Sequence, residues 1–246
     1  MIIDFHTHVD EVPALGWHLA ASDVLAQMDA AGVDQAVVMT ITDAPEVNED
    51  ALAQTAATCA ASGGRLHGFV RVHPWYEQAP ELVAHALDDL GYRGVKLHGV
   101  STLADPGSEP VLRVLRAAAA RGAPVLFHSG DDPFVTPWEI APAAAAVPQA
   151  TIVLAHMGGY AHTADALDVA DEFPNVMLDT SAAPYPSVIG AAVRRLGAHR
   201  VLFGSDAPGC PVPLELAKIR LAGLSDAATA LVLGENARRL LDGVGA

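Results

Sequence analysis

Eight apolar segments, each followed by a stretch with helical periodicity, constrain the fold of this chain more than any other feature. They recur about every 28 residues, a length that fits one strand, one helix and two loops. Some of them, such as residues 36–39, are continuous hydrophobic runs, as expected of a parallel sheet covered by helices on both faces. The predicted strands begin near Ile2, Asp34, Arg65, Tyr92, Ala123, Ala150, Asn175 and Arg200.

Strict alternation of strands and helices fits either a closed barrel or an open, doubly wound sheet. The chain has eight such units, and its 246 residues are close to the ~250 that are typical of a (β/α)8 barrel. No Gly-x-Gly-x-x-Gly follows the first strand, so a dinucleotide-binding fold has no support. We therefore predict an α/β protein with a (β/α)8 TIM barrel, in which residues 1–246 form a single domain.

Capping signals predict where several helices begin and end. Ser22 is predicted to cap a helix that stops at Gly32. Residues 136–139 (Thr-Pro-Trp-Glu) combine a capping box with proline at the first helical position. Ser225 is predicted to begin a last helix that ends near Leu241.

Composition restricts the classes of partner. Acidic residues outnumber basic ones 29 to 14, and the formal charge of -15 argues against nucleic acid and anionic membrane surfaces. No apolar run approaches the ~20 residues of a membrane span, and we recognise no signal peptide, so a cytoplasmic location is expected. Cys59 and Cys210 match no disulfide framework. We expect a small-molecule substrate, and a homo-oligomer is compatible with these features.

Six of the eleven histidines fall where a predicted strand ends. His6 and His8 lie two residues apart on the first strand, so their rings point the same way. In a barrel the carboxyl ends of all strands meet at one face, where active sites lie. This places together His6, His8, His128, His156 and Asp206. Such nitrogen and oxygen donors suit Zn²⁺ or a similar divalent ion, which lowers the pKa of bound water toward ~7.

Five stretches carry a resemblance to a known family. They are residues 4–8 (Asp-Phe-His-Thr-His), 94–98 (Gly-Val-Lys-Leu-His), 124–130 (Pro-Val-Leu-Phe-His-Ser-Gly), 154–159 (Leu-Ala-His-Met-Gly-Gly) and 202–206 (Leu-Phe-Gly-Ser-Asp). In type and order they resemble the amidohydrolase superfamily. Within it, they are similar to the amidohydrolase-related family, which also contains aminocarboxymuconate-semialdehyde decarboxylase. The resemblance spans nearly the whole chain but does not specify a substrate.

The resemblance implies a role for each strand-end residue. His6, His8, His128 and Asp206 would bind the metal, for which zinc is the expected ion. Asp206 would also take a proton from the metal-bound water and pass it to the leaving group. His156 would hydrogen-bond the water or the developing oxyanion in a one-metal site, or ligate a second ion in a two-metal site.

Lys96 has two possible roles by the same resemblance. In two-metal members, a lysine that ends the fourth strand is carboxylated and bridges the ions. In one-metal members with a Lys-Leu-His stretch, it can bind a substrate carboxylate or phosphate. We favour one metal and an unmodified Lys96. His98, further out on the same strand face, and His73, at the end of the third strand, are candidate substrate contacts.

The function predicted from these residues is a metal-dependent hydrolase that cleaves a C–N or C–O bond of a small carbonyl compound with metal-activated water. The alternative is a nonoxidative decarboxylase or hydratase on the same metal site. A remoter alternative is a metal-free lyase that forms a Schiff base at Lys96. Among arginines, only Arg71 lies near the ends of the metal-binding strands, which counts against a dicarboxylate substrate.

Overall fold

The computed structural model describes residues 1–9, 11–12, 17–18, 20–41 and 49–245. Eight parallel strands pair in chain order and form a nearly closed barrel, which confirms the predicted fold. Each strand begins one or two residues after its predicted start. The strands are β1 (Ile3–His8), β2 (Gln35–Met39), β3 (Leu66–Arg71), β4 (Gly94–Leu97), β5 (Val125–Phe127), β6 (Ile152–Leu154), β7 (Val176–Asp179) and β8 (Val201–Leu202).

Backbone hydrogen bonds join the first strand to the chain that follows the last. Phe5 N donates to Phe203 O at 2.9 Å, Asp206 N to His6 O at 2.7 Å, and His8 N to Ala207 O at 2.9 Å. These bonds place Asp206 directly beside the two histidines of β1. After β1 comes a short antiparallel hairpin of Glu11–Val12 and Trp17–His18.

Helices surround the barrel and connect its strands. In the described part of the chain they are α1 (Ala21–Ala31), α2 (Glu49–Ala61), α3 (Ala79–Asp88), α4 (Gly99–Thr102), α5 (Glu109–Ala119), α6 (Pro137–Ala146), α7 (Thr163–Glu172), α8 (Pro186–Leu196), α9 (Val212–Leu221), α10 (Asp226–Ala230) and α11 (Asn236–Asp242). Two 3-10 turns, Ala155–Gly158 and Ala198–Arg200, and a π-helical turn, Leu231–Glu235, complete the set. None of the helices in these ranges has the length and hydrophobicity needed to cross a membrane.

The predicted helix ends are largely confirmed. Gly32 ends α1 in the left-handed region (φ 72°), and the capping box of Thr136 and Glu139 is present. Ser225 caps α10 by accepting from Ala228 N. The prediction for Ser22 is wrong, because the carbonyl of the extended residue Ala20 already accepts the first hydrogen bonds of α1 and Ser22 lies inside the first turn.

Below the carboxyl ends of the strands, the interior of the barrel is closely packed with apolar side chains. Large apolar side chains from several strands fill it, including Phe5, Phe69 and Leu126, each at most 1% exposed. Phe5 and Phe69 pack edge to face with ring centroids 5.3 Å apart. These apolar side chains form the floor of the barrel interior. The polar residues at the carboxyl ends of the strands lie above them.

Candidate metal centre

A cavity of about 190 Å³ lies at the carboxyl ends of the strands. It is lined by His6, His8, Ile41, Arg71, Lys96, His98, His128, His156 and Asp206. The structure thus brings together all the predicted metal-binding and catalytic residues, with Lys96 and His98. His73, which was predicted as a substrate contact, is not part of this lining. The predicted residues in this lining come from the ends of five strands, β1, β4, β5, β6 and β8. They converge because the barrel brings these ends to one face.

Asp206 connects the histidines of β1 to the rest of the cluster. Its Oδ1 atom lies 3.0 Å from His8 Nε2 and 3.4 Å from His6 Nε2. The ligand atoms of His6, His156 and Asp206 all lie within 4.8 Å of one another. These three residues can hold a metal ion. His156, which was predicted as a catalytic residue, therefore lies close to His6 and Asp206, two of the predicted metal ligands.

The other two predicted ligands flank this group. His8 contacts Asp206, as described above, and His128 Nδ1 lies 3.2 Å from His156 Nε2. The His98 ring stacks on His128 with centroids 4.0 Å apart and an interplanar angle of 9°. His98 therefore packs against the cluster.

Burial controls the charge of the imidazoles. Desolvation is the main cause that lowers the pKa values of His6, His8, His128 and His156, and the positive charge of Lys96 acts in the same direction. The neutral imidazole that this favours is the form that binds metal ions.

The carboxylate of Asp206 behaves in the opposite way. Burial raises its pKa, but the hydrogen bond from His8 and the nearby His6 and His156 rings outweigh this, and the pKa lies well below its usual range. Asp206 is therefore ionised in the protein. Neutral nitrogen donors beside an anionic oxygen donor are a set that fits a divalent cation.

Lys96 is the most buried cation of the cavity, at 1% exposure. Burial lowers its pKa to about 7, with Asp206 acting in the opposite direction. Its Nζ atom lies 3.2 Å from His6 Nε2, a hydrogen-bond distance. The amine thus faces the ring of His6, a predicted metal ligand.

Arg71, which the sequence marks as the one arginine near the ends of the metal-binding strands, lines the cavity. It ends β3, is 4% exposed, and donates from Nη2 to Ser101 Oγ at 2.9 Å. In the barrel it is the direct neighbour of Lys96 on β4. Strand register was the signal that could have found it, because residues paired across parallel strands share a face.

Backbone strain coincides with the cluster. His156 (φ 59°) and Asp206 (φ 64°) are non-glycine residues in the left-handed region. Such conformations are uncommon, cost roughly 1–3 kcal/mol each, and concentrate at functional sites where the surroundings hold them. The strain therefore supports a functional role for these two side chains.

A second cavity of about 290 Å³ adjoins the first and shares His128, His156 and Asp206 with it. Its further lining includes Tyr160 and Pro184. The cluster thus borders two neighbouring spaces, both at or below the lower end of the ~300–1,000 Å³ of drug-sized ligand pockets. A small substrate fits these dimensions.

Comparison with known proteins gives a family and a set of similar folds. The family model described as amidohydrolase matches residues 3–243. An uncharacterized TIM-barrel protein from Bordetella bronchiseptica has a TM-score of 0.80 and 21% identity, with 100% of this chain and 99% of that chain covered. No curated protein sequence matches the chain.

Two similar structures are of decarboxylases. The 5-carboxyvanillate decarboxylase from Sphingomonas paucimobilis has a TM-score of 0.76 and 17% identity, with 98% of both chains covered. A dihydroxybenzoic acid decarboxylase from a Polaromonas species, solved with bound manganese and the inhibitor 2-nitroresorcinol, has a TM-score of 0.77 and 17% identity, with 98% of this chain and 96% of that chain covered. At these identities the likeness concerns the fold.

Proposed function

The chain belongs to the amidohydrolase family, and we propose that it is a metal-dependent, nonoxidative decarboxylase of a small carboxylic acid. The observation that carries this proposal is the pair of buried basic side chains, Arg71 and Lys96, in the same cavity as the His–Asp cluster. The names of the similar decarboxylases point to a ring-bearing carboxylic acid as the substrate class. These observations favour the decarboxylase alternative over hydrolysis.

Together, Arg71 and Lys96 can bind an anion in the cavity. Arg71 and Lys96 stand side by side across the β3–β4 pairing, and both line the cavity. A substrate carboxylate would complement this positive charge, and the planar guanidinium suits a carboxylate particularly well.

The ligand set restricts the metal but does not select one ion. The ion would be held by His6, His156 and Asp206, with His8 and His128 alongside. We propose that the ion is Zn²⁺, although the nitrogen and oxygen donors also suit Mn²⁺. When bound, the ion would act as a Lewis acid that stabilises negative charge on the substrate.

The reaction balances without an oxidant. The bond between the substrate carbon and its carboxyl group breaks, CO2 leaves, and the electron pair stays on that carbon until a proton replaces the carboxyl group. Arg71 and Lys96 would orient the carboxylate for this step. Asp206 borders both cavities and would hold and deliver the proton.

A substrate screen tests the proposal. We would incubate the metal-loaded protein with hydroxylated benzoates and other small ring carboxylates and measure CO2 release and loss of substrate. In parallel, we would offer amides, lactones and esters of similar size. Catalytic CO2 release supports the proposal. Release of amine or alcohol from the second panel, with no CO2 from the first, would favour hydrolysis instead.

Replacing Arg71 by Met is expected to lower kcat/KM for a carboxylate substrate by at least roughly 30-fold, because removing one partner of a buried charge pair costs about 2–5 kcal/mol. The loss should lie mainly in KM if Arg71 binds the carboxylate equally in the ground and transition states. Steady-state kinetics on Arg71→Met and Arg71→Lys measure this. Arg93→Met is the matched control, since Arg93 contacts the backbone of Val244. Unchanged kinetics in Arg71→Met would remove Arg71 from substrate binding.

Lys96 is expected to remain an unmodified amine in a one-metal site. Metal-loaded protein exposed to ¹³C-labelled bicarbonate should show no carbamate carbon signal, and Lys96→Met should lower kcat/KM for the carboxylate substrate while leaving about one ion bound. A carbamate signal together with two ions per chain would contradict this expectation. Borohydride trapping of substrate on Lys96, with activity that survives chelation, would instead support the Schiff-base alternative.

A further inference from the structure

Asp179 and Ser181, at the end of β7, lie beneath the His–Asp cluster and were not singled out from the sequence. Both are fully buried. Asp179 Oδ2 lies 2.8 Å from His6 Nδ1. Ser181 donates from its backbone nitrogen to Asp179 Oδ1 at 3.0 Å and from its hydroxyl to Asp179 Oδ2 at 2.6 Å. The two residues therefore form a closed pair of hydrogen bonds next to a predicted metal ligand.

The same serine also contacts His156, which follows the neighbouring strand β6. His156 Nδ1 lies 3.0 Å from Ser181 Oγ and 3.2 Å from the Ser181 carbonyl oxygen. Ser181 Oγ lies 3.1 Å from His6 Nδ1 as well. One side chain thus touches the Nδ1 atoms of two members of the group that can hold a metal ion.

Counting hydrogens assigns the tautomer of both rings. The single hydroxyl hydrogen of Ser181 goes to the Asp179 carboxylate, which is its nearest partner and the strongest acceptor. His156 Nδ1 then faces only acceptors, the hydroxyl oxygen and the carbonyl of Ser181, so it must carry a hydrogen. His6 Nδ1 faces the carboxylate and the same hydroxyl oxygen, and the same reasoning applies.

A neutral imidazole carries one N–H, so both Nε2 atoms are left with a lone pair. His6 Nε2 faces Lys96 Nζ and Asp206 Oδ1, at 3.2 Å and 3.4 Å, inside the cavity. We propose that Asp179 and Ser181 are positioning residues that fix His6 and His156 in the Nδ1–H tautomer. Both rings then keep the Nε2 lone pair that metal binding requires, and His156 Nε2 lies 3.2 Å from Nδ1 of His128, a further predicted ligand. This inference rests on the metal site and not on the choice between decarboxylation and hydrolysis.

Gly204, two residues before Asp206, makes this arrangement sterically possible. A Cβ atom at position 204 would lie 2.2 Å from Asp179 Oδ1 and 2.9 Å from His6 Cβ. Any larger residue would push the carboxylate away from the imidazole. Gly204, just after β8, therefore leaves room for the contact between Asp179 and His6.

Asp179→Asn is the informative substitution. An asparagine has one oxygen where the carboxylate has two, and Ser181 N and Ser181 Oγ already require both. Its amide hydrogens would face His6 Nδ1 and favour the tautomer with hydrogen on Nε2, in which Nε2 has no lone pair for the metal. Because outer partners of ligating histidines typically contribute 10–100-fold to metal affinity, we expect a loss of roughly that size.

The test measures binding of the metal alone to the full-length chain, by competition with a chromogenic chelator, so it needs no substrate. Asp179→Asn should lose roughly 10–100-fold in affinity, and Ser181→Ala should lose less, because the carbonyl of residue 181 still accepts from His156. Thr180→Val, which removes a hydroxyl between the two, is the matched control. Affinity of Asp179→Asn equal to that of the control would overturn the proposal.

Histidine ¹⁵N spectra of the metal-free wild-type chain give an independent readout that holds even if Asp179→Asn fails to fold. Protonated Nδ1 and unprotonated Nε2 signals for His6 and His156 support the proposal, and the reverse pattern overturns it. A chain that binds metal as expected but releases no CO2 would contradict the proposed function while leaving this inference intact.

Discussion

Replacing Asp206 by Asn is expected to lower kcat by roughly 10²–10⁴-fold, the range that positioned acid–base groups contribute, while the barrel stays folded. Asp206 is ionised, touches His6 and His8, and borders both cavities. Asparagine has nearly the same shape and can offer an oxygen to a cation, but it cannot accept a proton. The measurement is steady-state kinetics with metal content determined in the same sample.

The control for Asp206 is Asp89→Asn. Asp89 also contacts an imidazole, His85 Nδ1 at 2.8 Å, but this pair lies exposed at the end of α3. Its removal should leave turnover unchanged, since exposed ion pairs contribute little. An Asp206→Asn protein with bound metal and near-normal turnover would exclude Asp206 from the proposed proton transfer.

Replacing both His6 and His8 by Ala is expected to abolish metal binding and activity together. His6 belongs to the group of three that can hold an ion, and both rings contact Asp206, so the double variant removes nitrogen donors from one wall of the site. The fold should persist, because β1 is held by backbone bonds to β2 and to the segment after β8. Metal analysis and circular dichroism measure the two outcomes.

His67→Ala is the matched control for the double variant. His67 lies at the opposite end of β3 from Arg71, is half-buried, and contacts the Gln35 side chain at 3.1 Å. This variant loses one partly buried histidine and should keep its full metal content. Full occupancy in the His6→Ala, His8→Ala protein would contradict the assignment of the metal to this site.

Much of the barrel could be predicted because its signals are local. The continuous apolar runs, Gly32 and the Thr136–Glu139 capping box each act over a few residues, and each has its expected structure. Ser22 shows the limit of this reasoning. A serine near the start of a helix does not determine which residue the chain turns at, and here that residue is Ala20.

The residues of the site that could be predicted are the histidines at strand ends. The residues whose place in the site depends on contacts between strands could not be found in this way. Arg71 enters the cavity because register places it beside Lys96, whereas its position along the chain indicates only that it lies near a strand end. Asp179 ends an apolar strand just as Asp206 follows one, but its role depends on His6 being 2.8 Å away and on the missing side chain of Gly204. Such contacts appear only in three dimensions.

The most direct test of a metal-dependent, nonoxidative decarboxylase is one reaction in D2O with a ring carboxylate that the protein consumes. The account predicts that CO2 is released and that deuterium occupies the carbon that lost it, in equal amounts. It also predicts that chelation stops both events and that about one equivalent of divalent ion restores them. Consumption of the substrate with its carboxyl group retained, or CO2 release that persists without metal, would contradict the account.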